Sequence, residues 1–134
     1  MRRRILDTDI VSLILRGDER LRQPVETYLR RFPCFTTGLI NCFELLRGLR
    51  FRDAHRRLRQ FEQFVHGNEI LPVDWAVIDL AADIYADLRR QGELLPDADI
   101  LIAATALAND CVLVTGNEKH FQRISDLEVE NWLA

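Results

Sequence analysis

Apolar runs that alternate with helical patterns along the chain predict an α/β fold: a mostly parallel central sheet of about five short strands, flanked by helices on both faces. Two further observations support this class. The strand cores RRILD, CFTTGLI and CVLVT are continuous rather than alternating, as in strands buried on both sides. Gly and Pro occur singly at element ends, with no linker, repeat or low-complexity tract, so residues 1–134 read as one domain.

Residues 3–7 predict the first strand, followed by a helix from about Asp9 to Arg16 that Gly17 stops. Asp18 is placed to cap a second helix with Leu21, Val25 and Leu29 on one face. Residues 34–40 form the second strand. Asn41 to Glu44 has capping-box spacing, which predicts a helix from Asn41 to Gly48 or a little beyond. Asp53 is a candidate cap for a helix carrying Leu58, Phe61, Phe64 and Val65, and EILPV is extended, with Pro72 at an edge or strand end. Residues 74–91 carry the stripe Val77, Leu80, Ala81, Ile84 and Leu88, ended by Gly92. Asp99 to Ala108 is apolar nearly all round, as in a helix buried on most sides. CVLVT is a strand, NEKHF a helical turn and LEVENW a last short strand.

Composition excludes several classes. Apolar residues are 48% of the chain, but no run approaches the ~18 that a membrane helix needs, and MRRRILDTD lacks a signal-peptide core, so a soluble cytoplasmic protein is expected. Cys34, Cys42 and Cys111, with His55, His66 and His120, match no zinc or disulfide spacing. The net charge of −3 neither announces nor excludes a nucleic-acid partner. Of 18 basic residues only Lys119 is a lysine. The Arg bias is read two ways, as codon usage in a GC-rich genome or as phosphate recognition by the planar guanidinium.

Open parallel sheets bind ligands beyond the carboxyl ends of their strands. Asp7 ends the first strand, Glu44 lies in the first turn after the second, Asp99 starts the buried helix, and Asn117 and Glu118 follow CVLVT. These positions can converge on one rim. Carboxylates about 4 Å apart repel by ~4 kcal/mol per pair at an effective dielectric near 20, a cost that a divalent cation removes. Oxygen ligands without His or Cys select Mg²⁺ or Mn²⁺. Each acid also has a simpler reading: Asp9 and Asp99 as helix caps, Glu44 as half of the capping box with Asn41, and Asp7 as an exposed strand-end acid. The simpler reading is weakest for Asp7 and Asp99, because Asp7 directly follows an apolar strand and Asp99 heads a helix with almost no polar face.

The ordered set ILDTDI, FELLRG, DADILIAATAL, LVTGNEKHF and LEVENW resembles the successive motifs of VapC-type PIN-domain toxins along the whole chain. The resemblance implies a PIN fold and a Mg²⁺- or Mn²⁺-dependent endoribonuclease. It also implies the toxin half of a type II toxin–antitoxin pair, with a cognate VapB-like antitoxin and usually a homodimer. By position, Asp7, Glu44 and Asp99 match the core acids, and Thr115 matches the small hydroxyl residue beside the site. Asn117 stands where many PIN proteins have a fourth acid, which puts a second metal ion in doubt. Asp97 or Glu118 either restores the missing charge or is a solvated loop residue.

On this reading Asp7 and Asp99 hold the metal, Glu44 holds it or orients the attacking water, and Asn117 fixes a water or phosphate oxygen. The substrate is expected to be RNA, a transfer RNA or a ribosomal stem-loop. Arg2 to Arg4 precede Asp7, and Arg47, Arg50, Arg52, Arg56, Arg57 and Arg59 crowd the stretch after Glu44. These are candidates for RNA phosphates, for an acidic antitoxin segment or for a solvated helix face. Trp75 and Trp132 are expected to pack rather than stack on bases, and Phe43 and Phe51 to be core or dimer-interface residues. Two rival functions fit parts of the chain. LDTDIV also matches the start of haloacid-dehalogenase-like phosphatases, with Asp7 as nucleophile, but no acidic pair follows Lys119. A non-catalytic PIN-like module that binds RNA or protein is the other.

Overall fold

The computed structural model describes residues 1–134. Five strands, β1 (Arg4–Leu6), β2 (Thr36–Gly38), β3 (Glu69–Leu71), β4 (Val112–Val114) and β5 (Val129–Glu130), pair in parallel in the order β3-β2-β1-β4-β5. The helices are α1 (Thr8–Leu15), α2 (Arg22–Leu29), α3 (Leu39–Phe51), α4 (His55–Gly67), α5 (Trp75–Gln91), α6 (Asp97–Ala108) and α7 (Glu118–Phe121). This is the expected α/β class. The chain builds β1, β2 and β3 outward in one direction, then crosses over to build β4 and β5 in the other, so the switch in strand order lies beside β1.

Strand alternation explains the two-layer covering. Ile5 and Leu113 face a core made with α5, α6 and α7, where Val77, Leu88, Ile102, Ala103 and Phe121 are buried. Leu6 and Val114, their immediate neighbours, face a second core with Ile10, Leu21, Tyr28, Leu45, Phe61 and Trp132. Every strand is at most three residues long, so the sheet gives each helix little area, and the helices supply most of both cores. No helix is long and apolar enough to cross a membrane.

Local chemistry sets several boundaries differently from the sequence expectation. Asp7, not Asp9, caps α1, its carboxylate accepting from the Thr8 amide. Asp18 caps a single 3₁₀ turn, Glu19–Leu21, ahead of α2. The tighter turn changes the helical phase, so Tyr28 is buried with its hydroxyl accepting from the Arg4 amide, and Leu29 is 41% exposed. Gly38 ends β2 and heads α3, which puts Asn41 a turn inside the helix, where its Oδ1 accepts from the Gly38 amide at 3.2 Å. Asp53 adopts a positive φ of 53° and leaves Ala54 to start α4. Asp99 is no cap either, since α6 starts two residues earlier after Pro96. The α5 signals are local and match: Asp74 accepts from the Val77 amide, and left-handed Gly92 (φ 69°) ends the helix. Trp132 packs in the core as expected, whereas Trp75 is 78% exposed in the first turn of α5, and Phe43 and Phe51 are 57% and 92% exposed rather than core.

Candidate active site

The carboxyl ends of β1, β2 and β4 open onto a cleft of about 460 Å³. Asp7, Glu44, Asp99 and Asn117 all line it, together with Asp9, Arg16, Arg47 and Arg52. Three elements distant in sequence thus deliver the three acids to one place: the end of β1, the second turn of α3 and the first turn of α6.

Asp7 is the buried member, 8% exposed. Its Oδ2 accepts from Thr115 Oγ1 at 2.8 Å, and its Oδ1 accepts from Asn41 Nδ2 at 3.1 Å and the Thr8 amide at 2.8 Å. Burial, opposed by the Thr115 and Thr8 hydrogen bonds and aided by the charges of Asp9 and Glu44, raises its pKa to about 6. The donors fix the carboxylate's orientation without cancelling the cost of its charge. Glu44 accepts from Thr8 Oγ1 at 2.6 Å and has Arg47 at 3.6 Å, while Asn41 Nδ2 also donates to Thr8 Oγ1. One chain of polar contacts, Asp7–Asn41–Thr8–Glu44, therefore locks β1, α1 and α3 together. Asp99 Oδ2 lies 2.9 Å from His120 Nε2, a buried nitrogen with no aligned hydrogen-bond partner.

The accessory positions separate. Thr115 is fully buried against Asp7, and Asn117 opens to the cleft while its amide donates to Thr115 Oγ1 at 3.0 Å. Asp97 points to solvent, and Glu118 accepts from Asn131 Nδ2 at 3.0 Å. Neither lines the cleft. Of the arginines expected near RNA or antitoxin, Arg47 and Arg52 reach the cleft, whereas exposed Arg50, Arg56, Arg57 and Arg59 do not line it.

Sequence reasoning missed the supporting residues. Thr8 and Asn41 each orient one acid and His120 lies 2.9 Å from a third, and their partners lie far away in the chain. Asp9 has a role other than capping: its Oδ2 accepts from the Gly116 amide at 2.9 Å, tying α1 to the loop that carries Thr115 and Asn117. The contact needs glycine, because a Cβ at Gly116 would lie 2.7 Å from Asp9 Oδ2 and 3.2 Å from Leu133 Cδ1. Gly116→Ala should break this tie, costing on the order of 1–2 kcal/mol in denaturant unfolding and lowering activity more than that loss of folded protein explains. Unchanged stability and activity would show that the loop is held elsewhere.

The donor set suits a hard divalent cation. The cleft presents carboxylates, an amide and hydroxyls with no Cys or His on its lining, and Asp7 carries a charge that its surroundings penalise. No three acids or histidines stand close enough to form a ready-made cage. Mg²⁺ does not require one, because it keeps several waters and takes one or two protein carboxylates.

Comparison with known proteins agrees with this architecture. A family model of the PIN domain matches residues 4–127. Ribonuclease VapC1 of Haemophilus influenzae (strain R2866) is 44% identical over 129 residues, covering 96% of each chain. Ribonuclease VapC1 of Methanocaldococcus jannaschii is 33% identical over 66% of this chain, a match that spans 63% of that relative's length. The crystal structure of DNA-bound VapBC from Salmonella typhimurium has a TM-score of 0.86 at 28% identity, covering 98% of this chain and 99% of the other. With a whole-chain fold match, a family match from β1 past α7 and the acids gathered at the strand ends, the chain belongs to the PIN-domain family and, within it, to the VapC ribonucleases.

Proposed function

We propose that this protein is a Mg²⁺- or Mn²⁺-dependent endoribonuclease, the toxin of a type II toxin–antitoxin pair, that hydrolyses RNA phosphodiester bonds. The observation that carries the reading is buried Asp7, held ionisable at the head of a cleft it shares with Glu44 and Asp99. In this reading Asp7 and Asp99 are the cation's ligands, and Glu44 either joins them or orients a water on the cation. The bound cation would supply activation of water and neutralisation of charge on the phosphate.

The chain's own residues do the rest. Thr115 and Asn41 hold the Asp7 carboxylate in one orientation, and Thr8 does the same for Glu44. His120, which does not itself line the cleft, has its Nε2 2.9 Å from Asp99 Oδ2. Asn117 takes the fourth position, offering an uncharged amide to a water or a phosphate oxygen where an acid would repel it. With Asn there, one cation is the economical arrangement.

Transfer RNA or ribosomal RNA is the proposed substrate, in the cytosol, and a VapB-like antitoxin the partner. The structurally similar Salmonella typhimurium protein, a VapBC assembly bound to DNA, supports the partner class. A homodimer is part of the same proposal, supported by exposed Leu39, Phe43, Trp75 and Ile78.

The test is product chemistry. Total transfer RNA and ribosomal RNA incubated with the protein and Mg²⁺ or Mn²⁺ should give fragments with 5′-phosphate and 3′-hydroxyl ends, and EDTA should stop cleavage. A 2′,3′-cyclic phosphate product, or full activity in EDTA, would rule out attack by water at these acids. Binding without cleavage in either metal would favour a non-catalytic RNA-binding module instead.

A further inference from the structure

The acidic cleft has a basic far end. Arg16 and Arg52 are the C-cap residues of α1 and α3, the two helices that carry Asp7's neighbours and Glu44. Both line the cleft with the acids. At about 1.5 Å per residue, each lies roughly 12 Å along its helix from the acid near that helix's start.

Their state differs from that of Arg47. Arg47 is engaged by Glu44 at 3.6 Å, whereas Arg16 and Arg52, both exposed, form no ion pair. The Arg52 side chain folds back over the bare backbone of Gly48, where a Cβ would lie 3.5 Å from Arg52 Nη1. Glycine inside a helix costs about 0.5–1 kcal/mol relative to alanine. The guanidinium lies at van der Waals distance over this position, which places it beside Gly48 on the cleft lining.

A polyanion entering a cleft lined by Asp7, Asp9, Glu44 and Asp99 meets repulsion unless cations offset it. Guanidinium groups bind phosphate through paired donors in a fixed fork. We propose that Arg16 and Arg52 form a phosphate clamp at the far end of the cleft, gripping an RNA backbone phosphate that flanks the scissile one. The inference rests on the ribonuclease reading and deepens it: it assigns the direction in which the strand leaves the acids, along the α1–α3 seam.

The experiment measures binding separately from cleavage. A fluorescently labelled single-stranded RNA oligonucleotide is titrated with protein in EDTA at several KCl concentrations, for wild type, Arg16→Ala, Arg52→Ala, the charge-keeping Arg16→Lys and a double Arg56→Ala, Arg57→Ala control. Each clamp variant should weaken binding severalfold and reduce the slope of log K against log salt by about 0.7, the value for one phosphate contact on a single strand. Arg16→Lys should keep the slope. The control removes two positive charges outside the cleft and should change the slope less than either single variant. In Mg²⁺, KM for RNA should rise in the clamp variants with kcat within about twofold of wild type.

Unchanged slopes in Arg16→Ala and Arg52→Ala would overturn the clamp. So would an equal or larger change in the control, which would show that only net charge matters. Lost affinity for an acidic antitoxin segment with RNA binding intact would assign the pair to the antitoxin and overturn it too. If wild type binds RNA with the expected slopes but cleaves none in either metal, the nuclease reading fails while the clamp stands.

Discussion

Asp7→Asn should lower RNA cleavage by on the order of 10²–10³-fold or more while making the metal-free protein more stable near neutral pH. The activity loss follows from removing a ligand charge from an electrostatic site worth several kcal/mol, at about 1.4 kcal/mol per tenfold. The stability gain follows from the raised pKa, about 6 against an ordinary 3.8. Between those values the folded protein keeps a proton that the unfolded chain has released. Stability therefore falls as pH rises from about 4 to about 6 and stays lowered above, by up to ~3 kcal/mol for a shift of this size.

Asparagine carries no charge and escapes that penalty, though its amide group must face one of the donors now serving the carboxylate. The Thr115 hydroxyl can rotate to accept instead. A net gain of about 1–2 kcal/mol is expected in urea unfolding near pH 7.5 in EDTA, shrinking toward zero or reversing near pH 4.5. A variant that is destabilised equally at both pH values would show that the Asp7 charge is not frustrated in the folded state.

Phe121→Ala should cost about 3–5 kcal/mol, the range for truncating a buried aromatic. Phe121 is 1% exposed and anchors the four-residue α7 into the core beside α5 and α6. So short a helix has no stability of its own, and the Phe121 ring is its apolar anchor beside the polar ties of Asn117 to Thr115 and Glu118 to Asn131. The melting temperature should drop by on the order of 10 °C or more in differential scanning calorimetry. Cleavage at a temperature where the variant is still folded should also fall, because Asp99 loses its backing and Asn117 its fixed position. A shift of only a few degrees would mean that α7 is secured elsewhere.

Asp7 was legible in the sequence because a strand-end acid after an unbroken apolar run is a local pattern, and α5 was legible because its cap, stripe and stop are all local. Glu44 and Asn41 were readable as polar residues near a helix start, but their spacing suggested that they served each other. In the fold Glu44 answers to Thr8 and Asn41 to Asp7 and Gly38. The Asn41–Gly38 bond is local, but nothing within a few residues of Glu44 or Asn41 records the pairings with Thr8 and Asp7, which arise only when β1 and β2 lie side by side. Arg16 was hidden for the same reason, and Arg52 was readable only as one of a run of arginines: each is an ordinary helix-end arginine until α1 and α3 pack and place both on one cleft. The burial of Tyr28 in place of Leu29 turned on a 3₁₀ turn whose only local sign was its Asp18 cap.

Titration of Mn²⁺ into the protein, followed by calorimetry and by loss of the free-ion electron paramagnetic resonance signal, bears most directly on the shared cation. Wild type should bind about one Mn²⁺ per chain and gain thermal stability on doing so, with binding weakened at least tenfold in Asp7→Asn and in Asp99→Asn and reduced in Glu44→Gln. Binding that survives intact in both aspartate variants, or no saturable binding to wild type, would contradict a cation held between these side chains.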